Sequence, residues 1–180
     1  MDCAFYKTLY NSPLGEIILH SNGENLTALY FNETNEKAAR FCQNLAQNSQ
    51  NLSIFTQTKQ WLDLYFSGEI PRFTPKIAFP KNASALALRV WEILRTIPHG
   101  KTTTYGAIAK QIARDFGIAK MSAQAVGGAV SRNPISIIVP CHRVIGADGN
   151  LTGYAGGIAN KIALLKIEGV ATNRIKMPKI

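Results

Sequence analysis

Ala85-Leu86-Ala87-Leu88-Arg89-Val90-Trp91-Glu92-Ile93-Leu94-Arg95-Thr96-Ile97-Pro98-His99-Gly100 is the stretch on which the fold turns. Leu86, Leu88, Val90, Trp91, Leu94 and Ile97 fall on a helical stripe. The stripe stops at Pro98-His99-Gly100, because proline cannot extend the helical hydrogen-bond ladder and glycine readily takes the left-handed conformation of a helix end. A second helix is expected from about Thr104, with Ile108, Ile112 and Phe116 on its buried face, and a third from Ser122 to Ser131, after Gly117. Three helices in succession suggest a helix-turn-helix arrangement. The third presents Ala123-Gln124-Ala125-Val126-Gly127-Gly128-Ala129, a surface with almost no side chains. Each interior glycine is unfavourable by roughly 1 kcal/mol relative to alanine, so this backbone is expected to approach something closely. A narrow minor groove and a tightly packed neighbouring helix both meet that requirement.

Downstream lie the apolar run Ile135 to Val139, a corner at Pro140-Cys141-His142-Arg143, a short hairpin around Asp148-Gly149, and a last helix from about Ile158 to Glu168. Upstream, Phe5 to Tyr10, Glu16 to Ser21 and Leu26 to Phe31 read as three short strands of an antiparallel meander, separated by turn-rich segments. Thr34 to Leu45 and Gln57 to Phe66 read as helices, which makes the N-terminal half α+β. Pro71, Pro75 and Pro80 mark Ser67 to Asn82 as a connector. The expected division is therefore a domain over 1–80, connector included, and a second over 81–180.

The formal net charge of +9 is unevenly spread. Residues 1–80 carry six Lys/Arg against seven Asp/Glu, net −1, whereas residues 81–180 carry fourteen against four, net +10. Such a surface suits a polyanionic partner, since each cation placed on a phosphate releases condensed counterions. A merely solvated basic face would give the same count. The N-terminus lacks a basic start and apolar run, and no stretch of about 20 apolar residues exists to span a membrane. The three cysteines, Cys3, Cys42 and Cys141, have no disulfide or zinc-knuckle spacing. A cytoplasmic protein with reduced thiols is expected, and a monomer.

Gly100-Lys101-Thr102 is not a phosphate loop, because that motif needs a glycine where Arg95 stands. Gly100 instead ends a helix, while Thr102, Thr103 and Thr104 offer a cap and hydroxyls suited to phosphate oxygens. Cys141 lies beside the cationic or basic side chains His142 and Arg143, which favour the thiolate. Local spacing alone fits a reactive nucleophile and a buried structural cysteine equally.

Val139-Pro140-Cys141-His142-Arg143-Val144-Ile145 resembles the active-site signature of the O6-alkylguanine-DNA alkyltransferases, the methylated-DNA-protein-cysteine methyltransferases. The likeness extends through Tyr105-Gly106, Ala125-Val126-Gly127-Gly128-Ala129, Asn133-Pro134, Gly153-Tyr154-Ala155-Gly156-Gly157 and Leu164-Leu165-Lys166-Ile167-Glu168-Gly169. More weakly, it reaches the N-terminal turn Ser12-Pro13-Leu14-Gly15. The resemblance implies an α+β chain with a ribonuclease H-like N-terminal domain and a C-terminal winged helix-turn-helix carrying the reactive cysteine. Its partner would be double-stranded DNA containing O6-alkylguanine, with the damaged nucleotide flipped through the minor groove.

By the same resemblance, Cys141 accepts the alkyl group irreversibly, His142 acts through water as general base, and Glu168 holds the imidazole. Tyr105 donates to the leaving guanine, and Asn133 keeps the cysteine region in register. Thr103, Thr104, Gln124, Ala125, Gly127, Gly128, Arg132 and Arg143 are the expected DNA contacts. Val144 and Ala155 would offer backbone groups to the base, and Tyr154 and Gly156 would shape the alkyl pocket. No cofactor is required. Some family members hold zinc in the N-terminal domain, but only Cys3 matches a ligand here; Asn22 and Thr27 occupy other ligand positions, so no metal is expected. Gln124 stands where the family has an arginine finger, and Ile112 to Met121 is longer than in many relatives, with Arg114 and Lys120 as compensating phosphate contacts. A non-catalytic sensor of alkylated bases on the same fold is the alternative, and Cys141 argues against it.

Overall fold

The computed structural model of the protein describes residues 5–31, 46–48, 51–151 and 153–171. Cys3, Cys42 and the helix expected over Thr34 to Leu45 lie outside them. The chain divides into two compact units. One comprises the residues up to Lys81 together with Pro134–Ser136, and the other Asn82–Asn133 with the residues from Ile137 onward.

In the first unit, strands β1 (Phe5–Ser12), β2 (Gly15–Ser21), β3 (Leu26–Phe31) and β4 (Ala46–Asn48) form one sheet in the order β3-β2-β1-β4. The meander is antiparallel, pairing Tyr10 with Ile17 and Leu19 with Leu29, whereas β4, which the sequence reading did not anticipate, runs parallel to β1. The β1–β2 turn closes because the Ser12 hydroxyl donates to the Gly15 carbonyl at 2.6 Å and accepts from the Leu14 N–H at 3.1 Å. Ile17, Leu19, Leu29 and Phe31 form the buried face of the sheet, and helix α1 (Ser53–Phe66) lays Phe55, Leu62 and Tyr65 against it. That helix starts four residues before the expected Gln57, since Ile54 and Phe55 also reach the core.

The free edge of β3 is covered by two extended segments, which keeps its backbone polar groups from acting as a template for other chains. Leu26 exchanges backbone hydrogen bonds with Lys76 and Ala78 of the proline-rich connector, at 2.8 and 2.9 Å. Leu29 does the same with Pro134 and Ser136, at 2.9 and 2.8 Å.

The second unit contains α2 (Ala85–Thr96), β5 (Thr103–Thr104), α3 (Tyr105–Asp115), α4 (Ala123–Ser131), a 3-10 turn at Cys141–Arg143, β6 (Val144–Ile145) and α5 (Ile158–Ile167). Ser84, Thr104 and Ser122 cap the three successive helices by accepting N–H groups of their first turns, which satisfies donors that a helix start leaves orphaned. Helices α2, α3 and α4 pack together, and the Trp91 indole pins α4 by donating to the Ala129 carbonyl at 2.9 Å. Ile108 and Ile112 are buried as expected, but Phe116 is not: α3 ends at Asp115, and Phe116 caps it with 41 % of its surface exposed. The Asp148-Gly149 segment is a tight turn closed by Gly146 N–H on the Asn150 carbonyl at 2.8 Å, and β6 finds its ladder partner in β5. No helix among the described residues is long and apolar enough to cross a membrane.

Candidate active site

The site assembles where the 3-10 turn at Cys141–Arg143 meets the C-terminal end of α5. Cys141 is 4 % exposed, and its sulfur accepts the Asn133 side-chain amide at 3.1 Å. The same Nδ2 donates to the Val139 carbonyl at 2.8 Å, so one buried asparagine ties the end of α4 to the segment leading into the cysteine. Between them Ile137 holds φ 68°, a left-handed conformation that costs a β-branched residue roughly 1–3 kcal/mol. Buried packing and the Asn133 tether hold that strain next to the nucleophile.

His142 is fully buried, and its Nε2 lies 2.7 Å from Glu168 Oε1. Burial pushes the imidazole below its usual range against the pull of Glu168, and the Arg143 and Lys161 charges push the same way, so the ring is neutral at pH 7. Burial alone would raise the Glu168 carboxyl. Hydrogen bonds from His142 and Arg143, with their charges, overcome that and hold it far below the ordinary carboxylate range. An ionised carboxylate only accepts, so Nε2 carries the imidazole proton and Nδ1 carries the lone pair. The ring also meets Tyr154 edge-on, with centroids 6.5 Å apart.

Arg143 departs from the sequence expectation. It was expected on the DNA surface, yet it is 9 % exposed and its guanidinium faces inward. Nε donates to Glu168 Oε2 at 2.8 Å, Nη2 to Oε1 at 2.9 Å, and Nη1 to the Ile97 carbonyl at 2.5 Å. This fork fixes the carboxylate in the plane that His142 needs. The Gly100 N–H completes the cradle at 3.2 Å from Oε2. Gly100 is the third residue of a turn closed by Lys101 N–H on the Pro98 carbonyl, with φ 71°, and a Cβ there would stand 2.9 Å from the Glu168 carbonyl oxygen. Gly100→Ala is therefore expected to lower stability by about 1–3 kcal/mol in chemical denaturation and to slow the chemistry at Cys141, through left-handed strain and displacement of Glu168.

Lys161 was missed by sequence reading. Its ammonium is fully buried and donates to the Val144 carbonyl at 2.6 Å. Burial lowers it from 10.5 to about 8, opposed by attraction to Cys141, so it stays mostly charged at neutral pH. The signal was present: Lys161, Leu164, Leu165 and Glu168 follow helical spacing i, i+3, i+4, i+7, one buried stripe of α5.

The two units match two family profiles: residues 5–79 the 6-O-methylguanine DNA methyltransferase ribonuclease-like domain, and residues 85–170 the DNA-binding domain of the same enzymes. The chain belongs to that family. A methylated-DNA-protein-cysteine methyltransferase from Methanosarcina acetivorans is 42 % identical over 91 % of this chain and 98 % of its own. One from Haemophilus influenzae is 36 % identical over 93 % and 88 %. Among solved structures, Mycobacterium tuberculosis OGT in complex with DNA superposes with a TM-score of 0.76, at 37 % identity over 95 % of this chain and 94 % of that one.

Within this methyltransferase fold the remaining expected residues fall into two groups. Gln124 and Arg132 are exposed at the two ends of α4, and Thr103, Ala125 and Gly128 are part-exposed. Several others are committed internally. The Thr104 hydroxyl caps α3 at 3.1 Å from the Ala107 N–H. A Cβ on Gly127 would meet the Tyr105 ring at 3.7 Å, so this glycine lets α4 lie close to the residue expected to serve the leaving base. The Val144 N–H is bonded to the Cys141 carbonyl and its own carbonyl accepts from Lys161. Tyr154 and Ala155 are half-buried and Gly156 buried in the turn before α5.

Proposed function

We propose that this chain repairs DNA by transferring the alkyl group of O6-alkylguanine to Cys141, once per molecule. The observation that carries the reading is a buried cysteine, held by Asn133, next in sequence to a neutral histidine whose proton is fixed by an ionised glutamate. The thiol proton passes through water to His142 Nδ1, and Glu168 stabilises the imidazolium that results. The thiolate attacks the alkyl carbon from behind, the S–C bond forms as the C–O6 bond breaks, and the guanine anion leaves with a proton from Tyr105. The product is a thioether that no ordinary reductant cleaves, so the protein is a stoichiometric reagent. The displacement needs no cofactor, because the alkyl carbon is already an electrophile once guanine can leave.

The partner is duplex DNA, bound by the basic second unit, with the target nucleotide flipped to reach a sulfur that is buried. Gln124, Ala125, Gly128, Arg132 and Thr103 remain the proposed contacts, while Arg143 acts from inside. A reactive reduced thiol and a DNA substrate fit a cytoplasmic protein. A sensor that binds alkylated bases without reacting has no need of Cys141, and the curated relatives cited above are named as methyltransferases.

Intact-protein mass spectrometry after incubation with a duplex containing O6-methylguanine tests the reading. One added methyl, mapped to the Cys141 peptide and absent in Cys141→Ser, is expected. No gain in the wild-type protein, or equal gain in the serine variant, would sink it.

A further inference from the structure

The end of α3 and the turn after it present seven consecutive exposed residues, Arg114 to Lys120, and two of them are large and apolar: Phe116 at 41 % and Ile118 at 43 % exposure. Exposed apolar tips in a loop are ordinarily mobile. These are held. Ile118 N–H bonds to the Ala113 carbonyl at 3.0 Å and Gly117 N–H to the Arg114 carbonyl at 3.2 Å, with Gly117 at φ 62°, the double-bonded Schellman ending of a helix. That ending normally buries the residue in the Ile118 position against the side chain three residues before the cap. Here that residue is Ala113, too short to cover it. The base of the turn is clamped by Arg89, whose Nε and Nη2 both lie 2.8 Å from Asp115 Oδ2. On its far side Ser122 caps α4 by accepting from Gln124 and Ala125.

The surroundings say what such a projection meets. With Asp115 neutralised by Arg89, the exposed charges of the turn and of the preceding helical turn are Lys110, Arg114 and Lys120, all positive. The turn runs directly into the exposed N-terminus of α4, in the half of the chain whose net charge is +10. Two side chains are far too little for a stable protein interface, which needs on the order of 800 Å² per partner. They match what DNA-bending proteins use: one or two apolar wedges between base steps, flanked by cations on phosphates.

We propose that Phe116 and Ile118 form a preformed apolar wedge that enters the DNA duplex beside α4, with Arg114 and Lys120 on the adjoining phosphates. The wedge rests on the DNA-repair reading above but concerns binding rather than transfer, so it is measured separately. Because the turn is already ordered, insertion is opposed by base unstacking and not by loop ordering.

The test compares Phe116→Ala/Ile118→Ala with Arg114→Gln/Lys120→Gln and wild type, using anisotropy of a labelled undamaged duplex over a salt series. A 2-aminopurine base at successive positions reports unstacking. The apolar variant is expected to bind about tenfold more weakly at every salt concentration, with an unchanged salt slope and loss of the 2-aminopurine signal. The charge variant should lower the slope by about two and keep the signal. Alkylation of Cys141 by free O6-benzylguanine base, which needs no DNA, should be the same in both variants as in wild type. Unchanged affinity in the apolar variant, a 2-aminopurine signal that survives it, or loss of self-association in sedimentation at constant DNA affinity would each overturn the wedge. Wild-type binding and unstacking without methyl transfer would instead count against the repair reading and leave the wedge standing.

Discussion

Glu168→Gln is expected to slow methyl transfer by about 10²- to 10⁴-fold, the range over which a positioned general base contributes. It should also lower stability by about 3–5 kcal/mol, the usual consequence of removing one member of a buried ion pair. Both effects have one origin. The carboxylate receives His142, two nitrogens of Arg143 and the Gly100 N–H, and an amide can accept on only one of its two atoms. Arg143 would keep its charge in the interior with one of its three acceptors gone, and the imidazole would lose the ionised partner that fixes its tautomer. The pH dependence carries a sign that separates this from a packing defect. Glu168 has a folded pKa below its unfolded value of about 4.5, so its contribution is full above that pH and is lost as acid protonates it. Wild type and Glu168→Gln should therefore differ most near neutrality and converge as the pH falls well below 4.5. Urea titrations at a series of pH values check this, and a gap that stays constant into acid would show that Glu168 contributes through shape alone.

Lys161→Met is the second large change, and here reactivity and stability should part company. Methionine keeps an unbranched apolar stem, one atom shorter, and removes the buried charge that attracts the Cys141 thiolate. Alkylation of Cys141 by iodoacetamide at neutral pH is expected to fall by about tenfold or more, with the inflection of its pH profile moving upward. The fold gains relief from a desolvated ammonium while losing the hydrogen bond to Val144. An ammonium whose folded pKa lies below its unfolded value weakens the fold while protonated. Wild-type stability should therefore rise as pH climbs from about 8 toward 10.5, a rise that Lys161→Met lacks. A variant that melts early and reacts normally would make Lys161 a packing residue.

Much of this protein was legible in one dimension because the information is local. The apolar stripe from Leu86 to Ile97, the helix starts at Thr104 and Ser122, and the turn-rich segments that separate β1 to β3 each depend on neighbours within a turn or a hairpin. Their positions follow from helical period, capping residues and turn residues, all of them local. The signature from Val139 to Ile145 likewise marks the family in local sequence alone. The end of α3 was misread because Phe116 lies in phase with Ile108 and Ile112, and phase says nothing of where the backbone stops; Gly117 does.

What the tertiary structure decided concerns partners distant in sequence. By itself the sequence determined that Cys141 is flanked by a base and a cation, and it could not say which way the cation faces. Folding brings Glu168 to within 2.7 Å of His142 across 26 positions and turns Arg143 inward onto the same carboxylate. Side-chain chemistry favours Arg143 equally well on a phosphate or on a buried carboxylate, and only the return of α5 supplies the second. The same return buries Lys161, whose charge every local rule would assign to solvent. The identity of the nucleophile was thus written in the chain, while the electrostatics that make it reactive exist only once α5 packs against the cysteine turn.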